Sequence, residues 1–184
     1  MIYLFLAEGF EEVEALTSVD LIRRAGLKLE TVSITSEKLV NGAHGIKVYA
    51  DRIFSEADFE NADMLVLPGG NPGWKNLDAC EPLIKELEKA SERGKYIAAI
   101  CGAPSIIGRR GLLKGKNACI YPGMEDTLAG AKANDKEVNI DGKFITSRGV
   151  GTAIPFALAI IKELTDAATA DKIATSVVYN ISSK

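Results

Sequence analysis

The sequence is poor in metal ligands, paired cysteines and basic runs. A single histidine, His44, among 184 residues gives no recognisable spacing of metal ligands, so we expect no metal site. Three cysteines, Cys80, Cys101 and Cys119, form no paired pattern, which argues against a disulfide framework and is typical of the reducing cytoplasm. A net charge of −3 without any Lys/Arg run argues against a dedicated nucleic-acid surface. No apolar stretch approaches the ~20 residues that span a bilayer, so we expect no membrane partner.

The composition that remains is that of an ordinary globular domain. Hydrophobic residues make up 47% and charged residues 26%, and the length suits one core, so we predict a single domain over residues 1–184. The apolar start, Met1–Ala7, has no basic residues and meets Glu8 at once, which favours a first strand over a signal peptide.

Short apolar segments alternate with amphipathic ones along the chain. The helix predicted over Glu12–Ala25 places Val13, Leu16, Val19 and Ile22 on its apolar face and ends at Gly26. The other predicted segments are strands at Ile2–Ala7, Leu29–Ile34, Met64–Leu67 and Tyr96–Ile100, hairpins around Asn41-Gly42 and Asp141-Gly142, and helices at Glu81–Glu92, Thr152–Leu164 and Ala168–Val178. This βαβ rhythm predicts a Rossmann-like, doubly wound α/β fold with a mostly parallel sheet and helices on both faces.

Cys101 directly follows a strand that is expected to be buried on both faces. The apolar run Tyr96–Ile100 passes into Cys101-Gly102-Ala103-Pro104, and proline suits the first turn of a helix. We therefore expect a strand-to-helix turn similar to the nucleophile elbow of hydrolases. A helix N-terminus at this point would favour the thiolate.

Three loops should meet at the carboxyl edge of the sheet, where open α/β sheets bind ligands. The first strand leads into an acidic segment, residues 8–14, the third ends in Gly69-Gly70 and the fourth in Cys101. The crevice would hold carboxylates, a glycine turn and a thiol. Those groups are the components of covalent catalysis.

Four motifs identify a resemblance that covers nearly the whole chain. They are AEGFEEVEA at Ala7–Ala15, LPGG at Leu67–Gly70, AAICGAPSIIG at Ala98–Gly108 and TSRGVGTA at Thr146–Ala153. With these motifs the chain resembles the DJ-1 branch of the ThiJ/PfpI superfamily. The resemblance implies a flavodoxin-like fold, a homodimer, Cys101 as nucleophile and Glu14 as the buried acid beside it. It also implies an anion-binding pocket formed by the backbone N–H groups of Gly70 and Gly102.

The resemblance leaves three activities open. The first is a cofactor-independent, cysteine-dependent enzyme for reactive aldehydes, either a glyoxalase converting methylglyoxal to lactate or a deglycase of early glycation adducts. The second is an oxidative-stress sensor or chaperone that uses an oxidisable Cys101. The third, a cysteine peptidase or amidase, is disfavoured because the peptidase branch has histidine where this chain has Gly102.

Further pocket candidates are Tyr121, His44 and Gly69. Tyr121 stands where the animal branch has histidine; a phenol can donate a hydrogen bond but is a poor base. His44 is either polar surface or a site residue near a dimer boundary. Gly69 is either an ordinary turn residue or part of the pocket.

Several residues have simpler interpretations. Glu8, Glu11 and Glu12 are expected to be solvated near a helix N-terminus. Cys80 and Cys119 are expected to be inert, with a secondary oxidation site at Cys119 as the alternative. The glycine-rich segment 147–151 lacks P-loop spacing and is expected to be a turn that leads into a helix capped by Thr152.

Overall fold

A seven-stranded sheet forms the centre of the protein, whose computed structural model describes residues 1–179. The strands of the chain are β1 (Ile2–Leu6), β2 (Leu29–Ser33), β3 (Leu39–Asn41), β4 (Lys47–Tyr49), β5 (Arg52–Ile53), β6 (Met64–Leu67), β7 (Tyr96–Ile100), β8 (Asn117–Ala118), β9 (Lys132–Ala133), β10 (Val138–Asp141) and β11 (Phe144–Ser147). The order in the main sheet is β10-β11-β7-β6-β1-β2-β5. Within this sheet all pairings are parallel except that of β10 with β11.

Helices cover both faces of this sheet. They are α1 (Glu12–Arg24), α2 (Gly73–Asp78), α3 (Glu81–Glu92), α4 (Pro104–Gly108), α5 (Ala153–Leu164) and α6 (Ala167–Ser176). One core cluster contains residues of α1, α5 and α6, and the other contains residues of α2, α3 and α4. The predicted doubly wound α/β architecture is confirmed.

The central strands are buried on both sides, which explains their unbroken apolar sequences. In β1, Leu4 and Leu6 belong to one core cluster while Tyr3 and Phe5 belong to the other. Adjacent residues of a strand point to opposite faces, so a strand between two helical layers needs apolar residues at every position. β1, β6 and β7 lie side by side and parallel, so their carboxyl ends meet at one edge of the sheet.

The predicted buried face of α1 is partly wrong. Val13 is 47% exposed, whereas Glu12 and Glu14 are buried together with Ala15 and Ser18. The periodicity of apolar residues predicts instead that Val13 is buried and that the glutamates beside it are exposed. The first turn of α1 faces the carboxyl edge of the sheet, where backbone N–H groups are available to carboxylates.

The remaining predicted elements are confirmed with small shifts at their ends. The strands pair as expected around Asp141-Gly142, while the β3–β4 hairpin turns over residues 42–46. Sequence analysis missed the short helix α2 and the edge strand β5. Within residues 1–179, no helix has the length and apolar character needed to cross a membrane.

Candidate active site

Cys101 lies at a sharp turn directly after β7. Its φ is 63°, the left-handed region that residues with a Cβ rarely adopt. Two backbone hydrogen bonds hold the turn: the Cys101 N–H donates to the Ser147 carbonyl at 3.1 Å, and the Cys101 carbonyl accepts from the Tyr121 N–H at 2.9 Å. The predicted elbow is therefore present, and the half-buried thiol faces the cleft beyond the strand ends.

Glu14 reaches the same place from the first turn of α1. The side chain is fully buried, and its Oε2 accepts a hydrogen bond from the Gly69 N–H at 2.8 Å. Its Oε1 has no hydrogen-bond partner within residues 1–179. Burial raises the pKa of Glu14 to about 7, against the opposing effect of the Gly69 N–H.

The Cys101 thiol and the Glu14 carboxyl titrate as a pair. Burial, followed by the charge of an ionised Glu14, raises the pKa of Cys101 to about 12, while the N–H groups of Gly102 and Gly70 oppose the rise. Each group thus holds its proton more tightly because of burial, and near neutral pH the two groups share one proton.

That shared proton is better placed on Glu14 than on Cys101. The sulfur has two backbone donors and is partly exposed to solvent. The carboxyl has one backbone donor and no contact with solvent. A protonated Glu14 carboxyl can also donate to the neighbouring sulfur, since a side-chain hydrogen bond with Cys101 contributes to its pKa. The expected thiolate therefore depends on the neighbouring carboxyl and two amides. The helix that was expected to stabilise it, α4, has only five residues.

Glycines make this close approach sterically possible. A Cβ on Gly69 would lie 2.6 Å from the Cys101 Cβ and 2.7 Å from Glu14 Oε2, so no side chain fits between them. Gly70 has a φ of +96°, and its Cβ would lie 2.3 Å from the Glu11 backbone nitrogen. Both positions therefore require glycine for local geometry as well as for the exposure of N–H groups.

These groups form the floor of a cleft of about 880 Å³. Sequence analysis had singled out several of its lining residues, namely Glu14, His44, Gly70, Cys101, Gly102 and Tyr121. It missed others, among them Trp74, Lys75, Met124 and Arg148. The segment 147–151 forms the predicted turn and also borders the cleft. Thr152 stands at the start of α5, but its hydroxyl accepts from the Arg148 and Gly149 N–H groups and not from the helix, so the predicted side-chain cap is wrong.

At the cleft mouth, Glu12 is bonded to the β3–β4 hairpin. Its carboxylate accepts from the His44 N–H at 2.6 Å and from the His44 ring Nδ1 at 2.8 Å. Burial alone would raise the pKa of Glu12, but these hydrogen bonds outweigh it and the pKa is lowered. The hydrogen bond to Glu12 and its charge raise the pKa of His44. His44 thus lines the cleft, and its hydrogen bonds to Glu12 join the β3–β4 hairpin to α1.

The expectation that the acidic segment is solvated is wrong for Glu11 and Glu12, which are buried. Glu11 caps α1, since its Oε2 accepts from the Glu14 N–H at 2.7 Å. Ligand atoms of Glu11, Glu12 and His44 all lie within 4.8 Å of one another, a cluster that the sequence spacing did not reveal. Hydrogen bonds within the protein already satisfy the Glu12 carboxylate.

Cys119 does not line the cleft. It is fully buried, and its thiol donates to the Thr146 carbonyl at 3.1 Å. Cys80 is partly buried and also lies outside the cleft. These placements agree with the simpler interpretation of both thiols.

Comparisons with known proteins give a consistent result. A sequence model of the DJ-1/PfpI family matches residues 1–163. Arabidopsis thaliana protein DJ-1 homolog B is 40% identical over 161 residues, which are 86% of this chain but only 37% of that longer protein. A Caenorhabditis elegans protein named glutathione-independent glyoxalase DJR-1.2 is 33% identical and is matched over 85% of this chain and 84% of its own length.

The fold of this chain is also that of solved structures. Oxidised DJ-1 from Toxoplasma gondii superposes with a TM-score of 0.93 at 33% identity, covering 97% of this chain and 98% of that one. This similarity confirms the flavodoxin-like form of the doubly wound sheet.

Proposed function

The chain belongs to the DJ-1/PfpI family, and on that premise we propose that it is a cysteine-dependent enzyme acting on reactive aldehydes without a cofactor. Its substrate class is the 2-oxoaldehydes, such as methylglyoxal, with a 2-hydroxy acid such as lactate as product. The observation that carries the proposal is the buried Glu14 carboxyl beside the half-buried Cys101 thiol at the end of β7. The relative named as a glutathione-independent glyoxalase supports this class of chemistry.

The first step is attack of the Cys101 sulfur on the aldehyde carbon. A C–S bond forms, the carbonyl π bond breaks, and the oxygen takes the negative charge before receiving the proton held by Glu14. The N–H groups of Gly70 and Gly102, which already oppose the rise in the pKa of Cys101, would hold this oxygen. One such donor contributes about 3 kcal/mol to a developing oxyanion.

The second step moves a proton between the two adjacent carbons of the hemithioacetal. Glu14, now ionised, removes the proton from the carbon that bears sulfur and returns one to the neighbouring carbon. The hydroxyl proton of the first oxygen passes to the second oxygen, so the first becomes the carbonyl of a thioester and the second a hydroxyl. A carboxyl whose pKa is about 7 suits both roles at neutral pH. Water then hydrolyses the thioester, releasing the 2-hydroxy acid and the thiol, so the whole reaction is an isomerisation plus hydration.

The deglycase variant uses the same groups. There Cys101 attacks the hemithioacetal or aminocarbinol that an oxoaldehyde forms with a thiol or an amine. The cleft is open enough at about 880 Å³ to admit more than a three-carbon substrate. A glycated side chain or nucleotide is accordingly the alternative substrate of the same site.

Conversion of methylglyoxal to lactate, without glutathione, tests the proposal. We expect turnover by the wild type, loss of it in Cys101→Ala, and full turnover in the matched control Cys80→Ala, whose thiol lies outside the cleft. A wild-type rate no greater than that of Cys101→Ala would refute the proposed cysteine-dependent activity.

A second candidate function is redox sensing, with or without chaperone activity. The half-buried sulfur has two N–H donors and an acid beside it, a suitable setting for a sulfinate. Two equivalents of peroxide would oxidise the thiol to the sulfinate and leave two waters. Mass spectrometry after mild peroxide should find Cys101 modified before Cys80 and Cys119; equal rates at the three thiols would exclude this function.

Peptidase or amidase activity stays disfavoured. His44 bonds through its ring Nδ1 to Glu12, and the residue after the nucleophile is Gly102. We find no Cys–His dyad within residues 1–179. Peptide hydrolysis that depends on Cys101 would reverse this judgement.

We further propose that residues 1–184 form one domain of a cytoplasmic homodimer. Val13, Ile46 and Tyr49 are 47%, 53% and 75% exposed and lie on α1 and the β3–β4 hairpin. Apolar side chains of this size are frequent at subunit interfaces. Sedimentation at micromolar concentration tests the dimer, and a monomer mass would refute it.

A further inference from the structure

The single tryptophan of the chain, Trp74, forms a wall of the cleft that the steps above do not use. It projects from α2 and packs against the turn that follows Cys101. A Cβ added to Gly102 would lie 2.8 Å from both Nε1 and Cδ1 of the indole. The absence of a side chain at Gly102 therefore provides the space that the Trp74 indole occupies.

Charged side chains fix the indole in this position. The Arg109 guanidinium lies 5.2 Å from the ring centroid and the Lys75 ammonium 5.7 Å, both within cation–π range. Arg109 is itself anchored, because it donates to Asp78 at 2.7 Å and to the Ser105 hydroxyl at 3.2 Å. The ring is thus held against Gly102 by ion pairing and stacking.

The indole N–H is available to a ligand. Tryptophan Nε1 is a donor only and usually has a partner when it is buried. Within residues 1–179 the Trp74 Nε1–H makes no hydrogen bond to the protein, and the side chain borders the cleft. Its nitrogen lies next to Gly102, whose backbone N–H is a donor to the Cys101 sulfur.

We propose that the Trp74 indole N–H binds the second oxygen of the substrate and makes the site selective for 1,2-dicarbonyl compounds. Neighbouring donors, on Gly102 and on Trp74, match oxygens on neighbouring carbons. This proposal rests on the proposed aldehyde chemistry. It deepens that chemistry by assigning a donor to the second carbonyl oxygen.

The second oxygen needs a donor at one particular moment. When Glu14 removes the proton from the carbon bonded to sulfur, the electron pair moves into a carbon–carbon double bond and the charge moves onto the second oxygen. That charge disappears when the second oxygen takes up the hydroxyl proton of the first oxygen, which becomes the thioester carbonyl as the proton from Glu14 bonds to the neighbouring carbon. A fixed donor acting on it lowers the barrier of this step more than it strengthens substrate binding.

Replacement of one atom tests the proposal, because a single tryptophan can be exchanged throughout the protein by growth on an analogue. Benzothienylalanine keeps the ring shape and puts sulfur in place of the N–H. We expect kcat for methylglyoxal to fall about tenfold with little change in KM, the fall typical of a lost hydrogen bond to a developing charge. Fluorotryptophan, which keeps the N–H, is the matched control.

Two further measurements separate this role from a structural one. The rate of Cys101 alkylation and the thermal midpoint should be the same in both substituted proteins. Equal kcat values for the two analogues, or a parallel loss of alkylation rate and stability, would overturn the role of Trp74 and leave the enzyme proposal intact. A wild-type protein that does not turn over methylglyoxal would overturn both.

Discussion

Glu12 and Glu14 lie two residues apart on one helix turn and are both buried, yet their pKa values shift in opposite directions. Glu12 accepts hydrogen bonds from the backbone and ring of His44, and its pKa is lowered. Glu14 accepts one from Gly69 and leaves Oε1 without a partner, and its pKa is raised to about 7.

The comparison shows that the balance between burial and hydrogen-bond donors decides the sign of the shift: burial prevails at Glu14, which lies deep and has one backbone donor, and donors prevail at Glu12, which lies at the cleft mouth. Burial disfavours the charge of either carboxylate, but N–H donors replace the lost water. Glu12 is consequently a fixed anion that joins α1 to the β3–β4 hairpin. Glu14 is a carboxyl that can exchange its proton, which is the property that a proton shuttle requires.

The largest expected effect comes from Glu14→Gln, which removes the exchangeable proton and keeps the shape. We expect turnover of methylglyoxal to fall at least about a thousandfold, in the range that general acid–base catalysis contributes.

Because the folded pKa of Glu14 is raised, its stabilising contribution is present below the unfolded pKa near 4.3 and is lost as the pH rises through about 7. Between pH 4 and pH 8 the variant should therefore become more stable relative to the wild type by up to about 3 kcal/mol of unfolding free energy, measured by urea titration. Unaltered turnover would contradict the shuttle.

The next effect tests the spacing of the pair. In Gly69→Ala the new methyl group would meet both the Cys101 Cβ and Glu14 Oε2 at less than 3 Å, so the two side chains must separate. We expect kcat to fall about a hundredfold because the proton would have farther to travel. Gly149→Ala is the matched comparison, since its Cβ would meet only ordinary contacts, the nearest at 3.6 Å. Its kcat should fall much less than that of Gly69→Ala. Similar losses in the two variants would refute the steric argument.

A smaller effect is expected at the other carboxylate. Glu12→Gln removes the charged acceptor of His44 and should cost about 1–3 kcal/mol of unfolding free energy, with Glu92→Gln on the surface as control. The lowered pKa of Glu12 gives stability above its unfolded value near 4.3; the raised pKa of His44 gives stability below its unfolded value near 6.5. The cost should thus be larger at pH 5.5 than at pH 9. A cost independent of pH would show that His44 carries no charge in the pair.

Tyr121→Phe should have the smallest effect. Tyr121 is 51% exposed, and its backbone N–H, not its hydroxyl, holds the Cys101 turn. We expect kcat/KM for methylglyoxal to change less than about threefold, as for a weak solvent-exposed hydrogen bond. A loss as large as that of Glu14→Gln would make the phenol a part of the proton transfer.

The fold and the centre of the site could be predicted from the sequence because they depend on local patterns. Apolar runs identified β1, β6 and β7, and parallel strands bring their carboxyl ends together without further information. Cys101 and the Gly69-Gly70 turn follow two of these strands directly. Glu14 could be singled out only through the family motif, because three other glutamates share its segment.

What could not be predicted depends on contacts between distant parts of the chain. His44 and Glu12 are 32 residues apart, and only the packing of the hairpin against α1 pairs them. Trp74 reaches Gly102 from another helix, and the exposure of Val13 follows from burial of the carboxylates beside it. Periodicity within one segment contains no information on such contacts.

The pH dependence of Cys101 alkylation by iodoacetamide, in wild type and in Glu14→Gln, tests most directly whether the pair shares its proton as inferred. If the proton resides on Glu14, the wild-type rate should rise with a midpoint near pH 7 or below, under the value of about 8.5 for a free thiol, and the midpoint should move upward in Glu14→Gln. A wild-type midpoint at or above 8.5 that Glu14→Gln leaves unchanged would contradict the shared proton.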